Sequence, residues 1–234
     1  FIMDSLFISN KERVKAICSE IKRRNVKIQW GCEGHVAFID EELVKVMESA
    51  GCYDIAFGIE SGVQRLLDNV RKGTRLDRIE EAVRLVKKTS RIKVSGLFIL
   101  GLPGERYEDS LATIRFAKKL PLDMAQFSIL VPYPGSQMYN ELKEKKAIDT
   151  GIRADGSLDT KVWLRYSAYI SYTRNEPIWV TPDLTGDVLK KLQKRALREF
   201  YFRPGYFWNQ LKRVRISEIG VTIKTFLNTF FDCH

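Results

Sequence analysis

Between Phe1 and Lys146 a short apolar run and a helical pattern alternate five times, and this alternation limits the fold more than any other feature. The runs are Phe1–Phe7, Lys27–Cys32, Tyr53–Glu60, Lys93–Leu100 and Met124–Val131. Each is rich in Ile, Val, Phe or Leu and too apolar to be half exposed, as expected of parallel strands covered by helices. The helical stretches carry boundary signals. Asp40 stands where a cap for 41–50 belongs, with Glu41 and Glu42 in the first turn and Gly51 just past the end. Asp77 and Glu80 have capping-box spacing, and Ile79, Ala82, Val83 and Val86 form one apolar stripe. Leu111, Ile114 and Ala117 give 107–120 a similar face.

Repeated strand–helix units with right-handed crossovers close into a barrel or stay open as a doubly wound sheet. Polar residues favour the barrel. Asp4, Cys32, Glu60, Gly101 and Pro132 fall at or just beyond the carboxyl ends of their runs, where barrel enzymes gather their chemistry. A Gly-rich dinucleotide turn is absent after the first run. The expected architecture is α/β, a partial (β/α) TIM-like barrel over 1–148 with an irregular and helical extension over 149–234. Within that extension Thr185 is the expected cap of a helix stapled by Leu184 and Leu189, whose face runs through Leu192, Ala196, Leu197 and Phe200. Pro204 restarts a helix, and Ile216, Ile219, Ile223, Phe226, Leu227 and Phe230 mark a last amphipathic stretch.

The 234 residues are 44% hydrophobic, enough for one sizeable core, and contain no long uncharged apolar run of membrane-spanning length. Cys18, Cys32, Cys52 and Cys233 lie far apart without paired spacing, which argues against a disulfide framework and against a metal site built from this segment alone. The net charge of +10 is uneven: residues 186–234 hold ten Lys/Arg and four Asp/Glu, a balance of +6. With its aromatics, that tail can pack its apolar face on the barrel or lie on an anionic membrane surface.

Three stretches carry candidate chemistry. Phe57-Gly58-Ile59-Glu60-Ser61-Gly62 ends a run in a carboxylate and a hydroxyl, able to bind two ribose hydroxyls or to cap the following helix. Gly96 to Glu105 places Gly101 and Gly104 around Pro103, suited to a flat ligand or to an ordinary turn. Val131-Pro132-Tyr133-Pro134-Gly135-Ser136 stiffens a loop whose backbone can meet a base edge, with Ser136 as the next helix cap.

In this order, and with "MDSLF", "WGCEGHV", "ELVKVMESAGC", "FGIESG", "FILGLPGE", "FSILVPYPGS" and "ALREFYFRP", the chain resembles the radical S-adenosylmethionine superfamily along nearly its whole length. More narrowly it resembles the branch associated with a cobalamin-binding domain. The resemblance implies a 4Fe–4S cluster that cleaves S-adenosylmethionine to a 5′-deoxyadenosyl radical, which abstracts hydrogen from an organic or lipid-like substrate, with cobalamin-dependent methyl transfer or cyclisation among the outcomes. The alternative is a non-catalytic barrel remnant that binds a nucleotide-like ligand or a partner protein. It further implies an electron donor such as a flavodoxin or ferredoxin, an upstream cobalamin domain and a cytoplasmic setting, peripheral on the membrane if the tail attaches. Nucleic acid is not an expected partner, since this tail reads helical rather than β-rich. Carried over by position, Glu60 resembles the ribose-contacting acid with Ser61 beside it. Phe98 to Gly101 resemble the stretch near adenine, and Val131, Pro132 and Tyr133 the turn presenting backbone to it. Asp4 resembles a strand-end acid facing the methionine amino group or substrate, and Lys72 a cation for the methionine carboxylate. Departures are plain. The CxxxCxxC cluster motif is absent, so the first barrel strand and the cluster loop are expected upstream of Phe1 and the isolated chain is expected to be inactive. Ser5 replaces the family's second acid, and His35 stands where relatives carry Arg.

Overall fold

The computed structural model describes residues 1–4, 6–167 and 175–203. Its elements run α1 (Lys11–Arg23), β1 (Trp30–Gly34), α2 (Glu41–Ser49), β2 (Cys52–Glu60), α3 (Gln64–Asn69), α4 (Leu76–Thr89), β3 (Lys93–Leu100), α5 (Tyr107–Lys119), β4 (Met124–Ile129), α6 (Gln137–Glu144), α7 (Thr160–Trp163) and α8 (Gly186–Tyr201). The four strands form one parallel sheet in sequence order. Such a sheet with helical crossovers is the partial barrel expected.

The apolar runs form strands where a partner strand is present to take up their backbone groups. The two central runs match β2 and β3 to within a residue. The outer runs differ. Among the described residues of Phe1–Phe7 no strand forms: Ile2 makes an isolated parallel bridge to Cys32, its N–H donating to Gly31 O at 2.9 Å. Beyond it the chain turns, because Asp4 accepts from Leu6 N through its side chain and from Phe7 N through its carbonyl. The run at Lys27–Cys32 becomes Trp30–Gly34. Val26 and Ile28 are about half exposed, whereas Trp30 is pinned by its backbone N–H to Gly51 O and its indole N–H to Ala50 O. The last strand stops at Ile129, two residues early.

Helix starts follow their caps. Asp40 accepts from Leu43 N, Ser136 from Tyr139 N and Thr185 from Val188 N, as their spacing predicts. The expected Asp77–Glu80 capping box does not form. The helix α4 begins before Asp77, and Gln64 Oε1 of α3 satisfies the first N–H, that of Leu76, at 3.0 Å. Glu80 is instead turned to Arg84 and Lys119.

Alternation along the strands separates two faces. Ile55, Phe57, Ile59, Val94, Phe98, Leu100, Phe127 and Ile129 enter the core shared with the helices. The opposite face carries Glu33, Gly58, Leu97, Ile99, Gln126 and Ser128, all partly exposed, above a buried pair in which Ser95 Oγ donates to both oxygens of Asp54 at 3.2 Å. The partial exposure of these residues leaves this end of the second face open.

The helix α8, from the segment read as an extension, packs into the same core through Leu189, Leu192, Ala196 and Phe200. It also finishes the outer edge of β4. Tyr201 OH donates to Ala125 O at 2.9 Å and accepts from Ala125 N at 3.3 Å, while Gln193 donates to Phe127 O. Arg203 reaches back to the carbonyls of Lys118, Leu120 and Leu122, capping the end of α5. The helices expected from Pro204 onward lie outside the described residues; of the basic tail 186–234 only residues 186–203 are described, and there the apolar face is packed on the barrel core. Among those described, no helix is long and apolar enough to cross a membrane.

Candidate functional site

The site is built around the carboxyl end of β2. Parallel pairing with β3 slips between Gly58 and Glu60, and Glu60 takes φ +64°, a left-handed conformation that L side chains rarely adopt. The slip sends the Glu60 side chain onto the open face, back over Gly58. A Cβ at Gly58 would lie 2.7 Å from Glu60 Oε1 and 2.9 Å from Lys72 Nζ, so only glycine leaves room for the charges there. Lys72 Nζ donates to Glu60 Oε1 at 2.7 Å, with the two side chains 21% and 19% exposed. The second oxygen of Glu60 has no hydrogen-bond partner among the described residues.

Lys72 arrives from the loop after α3, where Arg71 and Gly73 both have positive φ and Lys72 N donates to Leu67 O. His35, just past β1, joins the same group. Its Nδ1 accepts from Ala37 N at 3.2 Å, so the neutral ring carries its proton on Nε2, 3.4 Å from Lys72 O. Burial first, and the Lys72 cation second, hold the His35 imidazolium below its ordinary value, which favours this neutral form. In the register of the ladder Gly58 faces Leu97, so the half-exposed Leu97 and Ile99 lie beside the charge pair. A carboxylate oxygen, a cation and an apolar strip therefore share one open surface.

The other residues expected at the site fall in different places. The Ser61 hydroxyl is buried, sharing a hydrogen bond with Thr113 Oγ1 at 3.1 Å and accepting from Val63 N at 3.1 Å. Phe98 lies on the helix side of β3, 1% exposed and stacked on Phe127 at 5.0 Å, so its neighbours Leu97 and Ile99 are the ones on the open face. Gly101 has φ +86° and backs onto Leu189 of α8, while its N–H and that of Leu102 donate to Glu105 Oε2 at 2.8 and 2.7 Å. Glu105 is itself 1% exposed and accepts Ser110 Oγ at 2.5 Å; burial nonetheless pushes its carboxyl above the usual value. Asp4 pairs with Arg13 at 2.8 Å. In the loop after β4, Val131 is half-buried, Pro132 buried and Tyr133 exposed, with Tyr133 O accepting from Ser136 N and Oγ. Among the described residues no hydrogen bond or ring contact joins Val131, Pro132 or Tyr133 to Glu60. Of the expected site residues the structure thus brings Glu60 and Lys72 together, and adds His35 and Gly58. Period-two alternation in β3 is the signal that separates Leu97 and Ile99 from Phe98.

The cysteines do not offer a cluster site. Cys18, Cys32 and Cys52 are buried behind the sheet; burial raises the Cys18 thiol to about 11, and a thiol hydrogen bond with Cys32, then burial, raises Cys52. Iron ligation needs thiolates, which such surroundings disfavour. Among the described residues no three of His, Cys, Asp and Glu converge to hold a metal ion. Cys233 lies outside them.

Comparison with known proteins extends the same reading. Residues 5–117 match the Radical SAM superfamily. An uncharacterized methyltransferase of Pyrococcus horikoshii is 35% identical over 202 residues, 86% of this chain and 40% of that protein. An anaerobic magnesium-protoporphyrin IX monomethyl ester cyclase of Rubrivivax gelatinosus is 30% identical over 138 residues, 58% of this chain and 25% of that protein. The chain therefore spans less than half the length of these relatives. A radical S-adenosylmethionine methyltransferase from Kitasatospora setae, solved with cobalamin and a 4Fe–4S cluster bound, shares the fold with a TM-score of 0.60 at 20% identity, over 87% of this chain and 42% of that structure. Strand order and the matched sequence agree: over residues 5–117 the chain has the sequence and fold of the Radical SAM superfamily.

Proposed function

We propose that this chain is the S-adenosylmethionine-binding part of a radical enzyme that acts on a small organic or lipid-like molecule. Residues 1–148 form its barrel portion, and 149–234 the extension that docks α8 on it. The observation that carries the reading is the Glu60–Lys72 pair on the open face above Gly58. Glu60 keeps an oxygen free for a ribose diol, Lys72 has further N–H donors for a ligand carboxylate, and Leu97 and Ile99 supply an apolar bed for a flat base. That set fits a zwitterionic nucleoside such as S-adenosylmethionine. In this reading Asp4, Ser61, Phe98, Gly101, Val131, Pro132 and Tyr133 border the site, and of these Ser61, Phe98 and Gly101 support it from behind.

The described cysteines, Cys18, Cys32 and Cys52, do not fit a 4Fe–4S cluster; in this reading other cysteines hold the cluster, with electrons from a donor such as a flavodoxin or ferredoxin. Cobalamin, bound in the Kitasatospora setae methyltransferase structure, is the further cofactor of the proposal. The basic tail is the candidate for peripheral membrane contact in an otherwise cytoplasmic protein.

The test is titration calorimetry with S-adenosylmethionine on the protein that carries this chain. Glu60→Ala should weaken binding by about 1–3 kcal/mol, the scale of a hydrogen bond to a charged group. Unchanged affinity would remove the nucleoside reading.

A further inference from the structure

A residue with φ +64° that is not glycine stays there only where its surroundings over-determine it. The surroundings of Glu60 are concentrated on one side chain. Thr113 of α5, 0% exposed, sits behind the turn that follows β2. Its Oγ1 accepts the Gly62 N–H at 3.1 Å and shares a hydrogen bond with Ser61 Oγ at 3.1 Å. Ser61 Oγ in turn accepts from Val63 N, and Ser61 N donates to Ile59 O at 2.8 Å, a tight turn centred on Glu60. Gly62 completes the fit. A Cβ there would come within 2.8 Å of Thr113 Cα and 2.5 Å of Phe116 Cβ, so the turn lies directly against α5.

We infer that Thr113 is a positioning residue: through Ser61 and Gly62 it fixes the turn that aims Glu60 at the open face. It touches no ligand. Its hydroxyl holds the residues immediately after Glu60, 52 positions away in sequence. The inference rests on the reading of Glu60 as a ligand-binding acid for its functional consequence, but not for its structural one.

Two measurements on the full-length protein separate these. The first is hydrogen exchange, read by mass spectrometry on peptides spanning 58–64. Thr113→Val keeps the shape of the side chain and removes the hydroxyl, so the Gly62 and Val63 amides should exchange roughly tenfold faster, while Thr113→Ser restores protection. Unaltered exchange in Thr113→Val overturns the inference whatever happens to the ligand. The second is a double-mutant cycle on S-adenosylmethionine affinity. Thr113→Val should weaken binding roughly tenfold in the native background and have no further effect once Glu60→Ala is present. Equal losses in both backgrounds mean that Thr113 does not act through Glu60, and sink the inference while the Glu60 reading survives. If instead Glu60→Ala leaves affinity unchanged but exchange responds as stated, the nucleoside reading fails and Thr113 still holds the turn.

Discussion

Glu60 ends one apolar parallel strand and Glu105 follows the next in the same sheet, yet their carboxylates are used in opposite directions. Glu105 spends both oxygens inward, on Gly101 N, Leu102 N and Ser110 Oγ, and is closed off from water. Glu60 gives one oxygen to Lys72 and keeps the other for whatever reaches the open face. The difference teaches that donors, not residue type, decide whether an acid near a strand end is used up by the fold or keeps an oxygen free. A buried carboxylate with three donors is a fastening for a loop. A half-buried one with a single mobile cation can exchange partners.

The largest effect that could break this contrast is on stability. Glu105→Ala strands two backbone N–H groups and a hydroxyl in a closed pocket, and should lower urea-unfolding stability by about 3–5 kcal/mol. A loss below ~1 kcal/mol would mean the loop does not depend on it. Gly58→Ala comes next. The added methyl collides with the movable ends of Glu60 and Lys72 rather than with backbone, so it should displace the pair and cost about 1 kcal/mol in S-adenosylmethionine affinity, with the melting temperature nearly held. Equal losses of binding and melting temperature would mean backbone damage instead. For Glu60→Gly the expected change in stability is under about 1 kcal/mol, because relief of the left-handed φ offsets the added chain entropy. A clear destabilisation there would make Glu60 a second fastening.

The smallest effect is one of pH. His35 has a folded value below its ordinary 6.5, so the unfolded chain takes up the proton first. The stability contributed by neutral His35 is complete above 6.5 and declines as pH falls through that value towards the lower folded one. Thermal melts between about pH 7 and 5 should therefore slope less in His35→Asn than in the native chain. Parallel slopes would detach His35 from the Lys72 loop.

Much of this was legible in sequence, and the limits have physical causes. The two central runs could be bounded closely because both edges of β2 and β3 are paired, so apolar content and pairing coincide. Phe1–Phe7 has the same composition but one bridge, and the Asp4 turn wins. At Glu60 the motif pointed to the residue, and Lys72 was named with it, but their meeting depends on a register slip and on Gly58. The inward turn of Ser61 and Glu105 was hidden. Ser61 depends on Thr113 across 52 positions, and Glu105 on which way the backbone of Gly101 faces, neither of which has a local signature.

The finished edge of β4 has a consequence for cutting and rejoining the chain. Tyr201 occupies Ala125 N and O and Gln193 occupies Phe127 O, so a strand offered on that side finds these three backbone groups already taken. Beside β1 the ladder holds, among the described residues, a single bridge, at Ile2. Fused segments, split halves or permuted termini should thus be tolerated next to β1 and rejected next to β4. The sheet is a template with one reading end.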